Sequence, residues 1–221
     1  MYLWLILALI FAALEVVAVS KNLRRLEFIA KPAVMVCLFI WLLARTGLQG
    51  NMLWFGLGIL CSLVGDVLLL FPQDRMFITG LVAFLFTHVF YLIGFQDQLL
   101  NPTDGSFILL FFILLNGIRL LRRITGSLRA RGDHGLVMPV TVYGLVISLM
   151  LYAAMSTIFD PAWGTGPAFY VSAGAFLFWI SDLLLAWDKF VFPIRNGRVP
   201  SILAYHLGQI GLIAGVIRQF S

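Results

Sequence analysis

The stretch "CSLVGDVLLLFP", Cys61–Pro72, decides how this chain is read. A run this apolar, closed by a proline, has the form of a helix that crosses a lipid bilayer, yet Asp66 stands near its centre. A second stretch, "FLFWISDLLLAW", Phe176–Trp187, repeats the arrangement around Asp182. The rest of the chain agrees with the apolar reading. Hydrophobic residues make up 62% and charged residues 11%, less than half the charged share of an ordinary soluble domain. Most of the surface therefore meets lipid, and the length predicts one integral membrane domain over residues 1–221.

Crossing about 30 Å of hydrocarbon takes about 20 helical residues. Eight runs meet that need, at 2–20, 28–46, 51–71, 76–96, 105–122, 137–158, 166–188 and 199–219. Polar or helix-breaking segments such as "SKNLRR", "PQDR", "NPTDG" and "PIRNGRVP" separate them. Lipid offers no partner to open backbone groups, and no barrel-type alternation is present, so the predicted fold is an all-α polytopic bundle of eight transmembrane helices. The first run is read as a retained helix, because its basic cluster follows the apolar residues, opposite to a secretory signal. Cys37 and Cys61 lie inside apolar runs and read as small core residues.

Thirteen of the 15 basic residues fall in or beside the first, third, fifth and seventh connections, leaving Arg45 and Arg218 on the other side. The positive-inside rule then predicts those connections in the cytoplasm and both termini outside. The net charge of +5 is accounted for by this asymmetry, so membrane lipid is the expected environment and nucleic acid is not an expected partner.

Seven of the ten acids sit at run ends or in connections; Glu15, Asp66 and Asp182 do not. An ionisable group inside a bilayer costs at least a few kcal/mol, which makes each a candidate for function. Glu15 precedes Lys21 by six residues, Asp66 precedes Pro72 by six and Asp182 precedes Lys189 by seven. At 1.5 Å per residue all three lie about 9–11 Å inside the same membrane face, on the first, third and seventh spans. A shared pocket opening to that face, lined by spans one, three, four, seven and eight, is expected. Other polar residues could line or support it: Lys31 beside Pro32, His88 and Tyr91 at i and i+3, Asn116, Ser181 next to Asp182, and Tyr205, His206 and Gln209 on the last span. Each also has a plainer explanation as interhelical glue. A short echo, "SLVGDVLLL" against "WISDLLLAW", each followed by a histidine (His88, His206), raises the prospect of two parallel four-helix repeats.

Taken in order, "SLVGDVLL", "GLVAFLFTHVFYLIGF", "VYGLVISLM", "AGAFLFWISDLLLAWDKF" and "AYHLGQIGLI", with Lys31-Pro32, make the chain similar along nearly its whole length to the TMEM86/YhhN membrane proteins, a family that includes lysoplasmalogenases. The resemblance implies hydrolysis of the vinyl ether bond of a lysoplasmalogen, a lysophospholipid, to a fatty aldehyde and glycerophosphocholine or glycerophosphoethanolamine. It also implies that Asp66 and Asp182 are the catalytic pair. The short connections look more like bacterial members, which implies a bacterial cell membrane.

The chemistry suits two carboxyl groups. Protonation of the outer alkene carbon gives an oxocarbenium ion, as in glycoside cleavage, where one carboxylic acid and one carboxylate divide the work. No metal or other cofactor is called for, and no HExxH motif occurs. Two other readings of the same residues stand beside this one. His88, His206, Asp66 and Asp182 could form a mixed nitrogen–oxygen metal site, or the intramembrane acids could serve a proton-coupled transporter without chemistry.

Overall fold

A computed structural model describes residues 2–220. The helices are α1 (Leu3–Ser20), α2 (Arg24–Thr46), α3 (Met52–Leu69), α4 (Asp74–Gly94), a short α5 (Gln96–Leu100), α6 (Asp104–Ala130), α7 (His134–Ser156), α8 (Thr165–Phe190) and α9 (Arg198–Phe220). A 3-10 turn, Thr157–Phe159, follows α7, and no strand occurs among the described residues. Each of the eight predicted runs falls on one long helix. Seven of these are long and apolar enough to cross a membrane. The remaining one, α6, carries the expected span 105–122 but continues as helix through "RLLRRITGSLRA". Arginine and leucine are good helix formers, and the helix runs on until Gly132, whose φ of 83° is left-handed. At the other end of the bundle α2 stops at Gly47, also left-handed at φ 61°, whose N–H closes on the Leu43 carbonyl.

Short connections make successive long helices antiparallel neighbours. The chain therefore packs as hairpins α1/α2, α3/α4, α6/α7 and α8/α9. The predicted division into two four-helix repeats is not established by this packing. Helix α9 is the core element: 72% of its apolar window is buried, against 28% for α1, and it meets α1, α2 and α8. Large apolar side chains such as Leu3, Ile108, Phe111 and Phe169 face outward, as lipid solvent requires.

The tightest seam is α8 against α9. A Cβ on Gly174 would lie 2.3 Å from Leu212 N and 2.7 Å from Gly208 O, and one on Gly215 2.7 Å from Pro167 O. Backbone meets backbone here, the small-residue packing that membrane helices use where apolar burial gives no drive to associate. Gly174→Ala is expected to force the helices apart and cost about 1–3 kcal/mol, seen as a lower melting temperature of the purified protein in detergent. An unchanged melting temperature would mean that the two backbones are not in contact. On α3, Gly58 and Gly65 leave room for the rings of Tyr91 and Phe84, which brings α4 close enough to share polar contacts with α3.

Candidate active site

Lipid leaves no solvation for a charge, so each buried ionisable group must find a partner on a neighbouring helix. Two groupings result, both at the end of the bundle that carries the arginine-rich connections, here the basic end. In the first, Glu15 (α1) and Asp66 (α3), both wholly buried, flank the ammonium of Lys31 (α2), which lies 4.0 Å from Glu15 Oε1 and 3.6 Å from Asp66 Oδ1. His206 Nε2 (α9) pairs with Glu15 Oε2. The Tyr205 hydroxyl donates to Asp66 Oδ2 at 2.8 Å. Asp66 Oδ1 receives no hydrogen bond from the protein.

The second grouping is built on Asp182 (α8). His88 Nε2 (α4) lies 2.9 Å from Asp182 Oδ2, and the Tyr143 hydroxyl (α7) donates to the same oxygen. His88 Nε2 and the Tyr143 hydroxyl are themselves 3.2 Å apart. Phe84 and Phe178 stand between the groupings, their rings 5.6 and 5.4 Å from that of Tyr205, with Phe178 4.7 Å from the His88 ring.

Behind these groups a chain of neutral hydrogen bonds fixes α3, α4 and α9. Tyr91 donates to Gln209 Oε1 at 2.7 Å, Gln209 donates to Ser62 Oγ at 2.7 Å, and Ser62 and Thr87 hydroxyls lie 3.1 Å apart. All four residues are fully buried. A satisfied network of this kind locks the helices that carry Asp66, His88 and Tyr205 in register.

Two cavities meet at Asp182. A polar one of about 130 Å³ is lined by Lys31, Asp66, Ser181, Asp182, Arg198 and Tyr205, among others. An almost wholly apolar groove of about 300 Å³ lies between α4, α6, α7 and α8, with Leu81, Leu121, Val140 and Leu183 in its walls. Phe77, Asp182 and Leu185 line both.

The sequence-predicted residues therefore separate. Lys31, Asp66, Ser181, Asp182 and Tyr205 line the polar cavity. Glu15, His88 and His206 support its acids and cation from behind, while Tyr91 and Gln209 belong to the neutral chain and line neither cavity. Asn116 is not brought to the site. It is exposed on α6, and its amide donates to the Phe112 carbonyl of its own helix at 2.8 Å. The lining also departs from the expected set of spans: α2 takes the place of the first span, because Glu15 is covered by Lys31 and His206. His206 pairs with Glu15 and His88 with Asp182, and no group of three or more His, Cys, Asp or Glu able to hold a metal ion occurs among the described residues. Sequence reasoning missed Tyr143, Ser62, Thr87 and the Glu27–Arg198 pair at the basic end.

Fold and site together define an integral, multi-pass helical membrane protein with ionisable groups gathered beside a lipid-like groove. The chain belongs to the YhhN family, whose model matches residues 26–216. It is similar to the lysoplasmalogenase TMEM86B of Mus musculus, with 32% identity over 86% of this chain and 74% of the relative. It is likewise similar to that of Homo sapiens, with 28% identity over 85% and 73%, and to lysoplasmalogenase TMEM86A of Bos taurus, with 29% identity over 69% and 60%. No solved structure matches the chain.

Proposed function

We propose that this protein is a lysoplasmalogenase, hydrolysing the vinyl ether bond of a lysoplasmalogen to a fatty aldehyde and a glycerophospho-alcohol, with Asp182 and Asp66 as its acid–base pair. The observation that carries this reading is the position of Asp182, among the described residues the one ionisable side chain common to an apolar groove and a polar cavity. A lysolipid has this same division. Its hydrocarbon chain suits the groove, its glycerol and phosphate suit the cavity, and the vinyl ether joins the two parts.

Asp182 is the proton donor. Tyr143 and His88 both engage Oδ2, leaving Oδ1 to deliver a proton to the alkene carbon remote from the ether oxygen. The new C–H bond converts the vinyl ether to an oxocarbenium ion. Asp66, whose Oδ1 lacks a protein hydrogen bond, orients a water and takes its proton as the oxygen bonds to the cationic carbon. The hemiacetal then releases the glycerol oxygen. The proton that Asp66 took from water goes to the leaving glycerol oxygen, Asp182 takes the proton that the hemiacetal hydroxyl loses, and an aldehyde forms; one water is consumed and both carboxyl groups return to their starting forms. The carboxylate of the pair stabilises the cation in a site from which bulk water is largely excluded. Lys31 lies between Glu15 and Asp66, where its ammonium offsets negative charge on either carboxyl group.

The test is aldehyde release by purified protein from a lysoplasmalogen beside an acyl lysolipid of the same chain and head group. Turnover of the first alone supports the reading; release of fatty acid from the second, or product from neither, would count against it. A metal-assisted route predicts loss with chelator and recovery with added metal; the two-aspartate route predicts neither.

Orientation is part of the same proposal. By the positive-inside rule, the 13-to-2 division of basic residues supports a basic end, and so a site, toward the cytoplasmic leaflet with both termini outside; a bacterial cell membrane is part of the proposal. A reporter fused after Ser221 that fluoresces or reacts only in the cytoplasm would contradict this.

A further inference from the structure

We propose that Arg198 is the phosphate-recognising residue of the polar cavity, with its guanidinium aimed by Glu27. The inference rests on the lysolipid reading for the identity of the ligand, but its geometry is independent of any chemistry at the aspartates. Arg198 opens α9 and lines the polar cavity. Its Nη2 donates to Glu27 Oε1 on α2. The arginine side chain is 60% exposed, the glutamate 10%, so a fixed acid holds one edge of a fork whose remaining N–H groups lie at the cavity's rim. A guanidinium carries five donors in one plane and binds phosphate oxygens in pairs. It can keep Glu27 on one edge and take a phosphate on the other.

The surroundings favour an anion at this rim. Lys31, one turn beyond Glu27 on α2, presents a second cation to the same cavity. Gly197 and Ser201 place the first turn of α9 in the wall, and a helix N-terminus favours negative charge. Each acid of the cavity already has a partner other than Arg198: Asp66 has Tyr205 and Lys31, Asp182 has His88 and Tyr143 on Oδ2, and Asp188 has the Ile194 N–H at 2.6 Å. Arg198, with one N–H on Glu27, has donors to spare at the rim. The ligand class is a phosphate ester, borne by a lipid or free in solution.

Binding separates this proposal from the catalytic one. The probes are a saturated 1-alkyl glycerophosphoethanolamine, which has no vinyl ether to cleave, and the phosphate-free 1-alkylglycerol, titrated against the full-length protein in detergent. Arg198→Ala is expected to weaken the phospholipid roughly 10- to 100-fold, the size of one charge-assisted hydrogen-bonding partner, and to leave the alkylglycerol within about twofold. Glu27→Gln should shift the phospholipid in the same direction by less, and Arg198→Lys should fall between, since it keeps the charge and loses the fork. Competition by millimolar inorganic phosphate, lost in Arg198→Ala, would mean that the site takes a free phosphate; competition absent with the 10- to 100-fold loss intact would mean that it reads phosphate only on a lipid. Equal weakening of both probes, or no weakening of either, overturns the proposal and leaves Arg198–Glu27 as a tie between α2 and α9. Failure of the protein to cleave any vinyl ether, with this binding pattern intact, would defeat the catalytic reading alone.

Discussion

Asp182→Asn is expected to lower aldehyde release by about 10³-fold while the protein still folds. Removing a positioned general acid costs about 10²–10⁴ in rate. The effect should lie toward the upper part of that range, because among the described residues no other ionisable side chain faces both the apolar groove and the polar cavity. Asparagine preserves the shape and can keep the Tyr143 hydrogen bond, so the melting temperature should move by only a few degrees. Tyr143→Phe and His88→Gln test the same point from the other side. If they act by holding Asp182 in place, each lowers kcat and neither removes turnover as fully as Asp182→Asn. A His88→Gln variant as dead as Asp182→Asn would instead make the histidine a direct participant.

Lys31→Met should have the largest effect on folding. Lys31 is 7% exposed and lies within 4.0 Å of two wholly buried carboxyl groups. Removing one member of a buried ionic group leaves uncompensated charge and costs about 3–5 kcal/mol, a large share of the stability of any domain. Low yield or aggregation in detergent is the expected outcome. The double variant Lys31→Met with Asp66→Asn removes one positive and one negative charge together, so it should recover much of the lost stability and none of the activity. A Lys31→Met protein that is as stable as wild type would mean that the two carboxyl groups do not depend on Lys31 for their place in the bundle.

Much of this site was legible because lipid is an unforgiving solvent. Glu15, Asp66, Asp182, Lys31, His88, Tyr205 and His206 stand out in apolar runs, and the common depth of the three acids follows from counting residues to the helix ends. The pairings were not legible. Glu15 could be matched to Lys31 by depth, but only the crossing of α1 and α9 brings His206 to it. Tyr143 escaped because a tyrosine in "VYGLV" violates no rule; its hydroxyl gains meaning only when α7 faces Asp182. Ser62 and Thr87 are equally ordinary in membrane helices. Glu27 and Arg198 lie at helix ends, where charge is expected and a specific partner cannot be inferred. Asn116 misled for the converse reason: on a lipid-facing surface an amide can satisfy itself on the preceding turn, so polarity within a span does not by itself indicate an inward face. The same holds for the bundle. The runs gave the helices, but the extension of α6 to Ala130 and the central position of α9 depend on packing and on where a breaker happens to fall.

The central claim is that Asp66 and Asp182 act as one unit on a vinyl ether. Residues that act together are strongly non-additive. Aldehyde release from lysoplasmalogen by wild type, Asp66→Asn, Asp182→Asn and the double variant, each purified and shown to be folded, tests this directly. The account predicts robust release by wild type, near-background release by each single variant, and a double variant little worse than either. Near wild-type rates in both single variants, or two partial losses that multiply in the double, would contradict it.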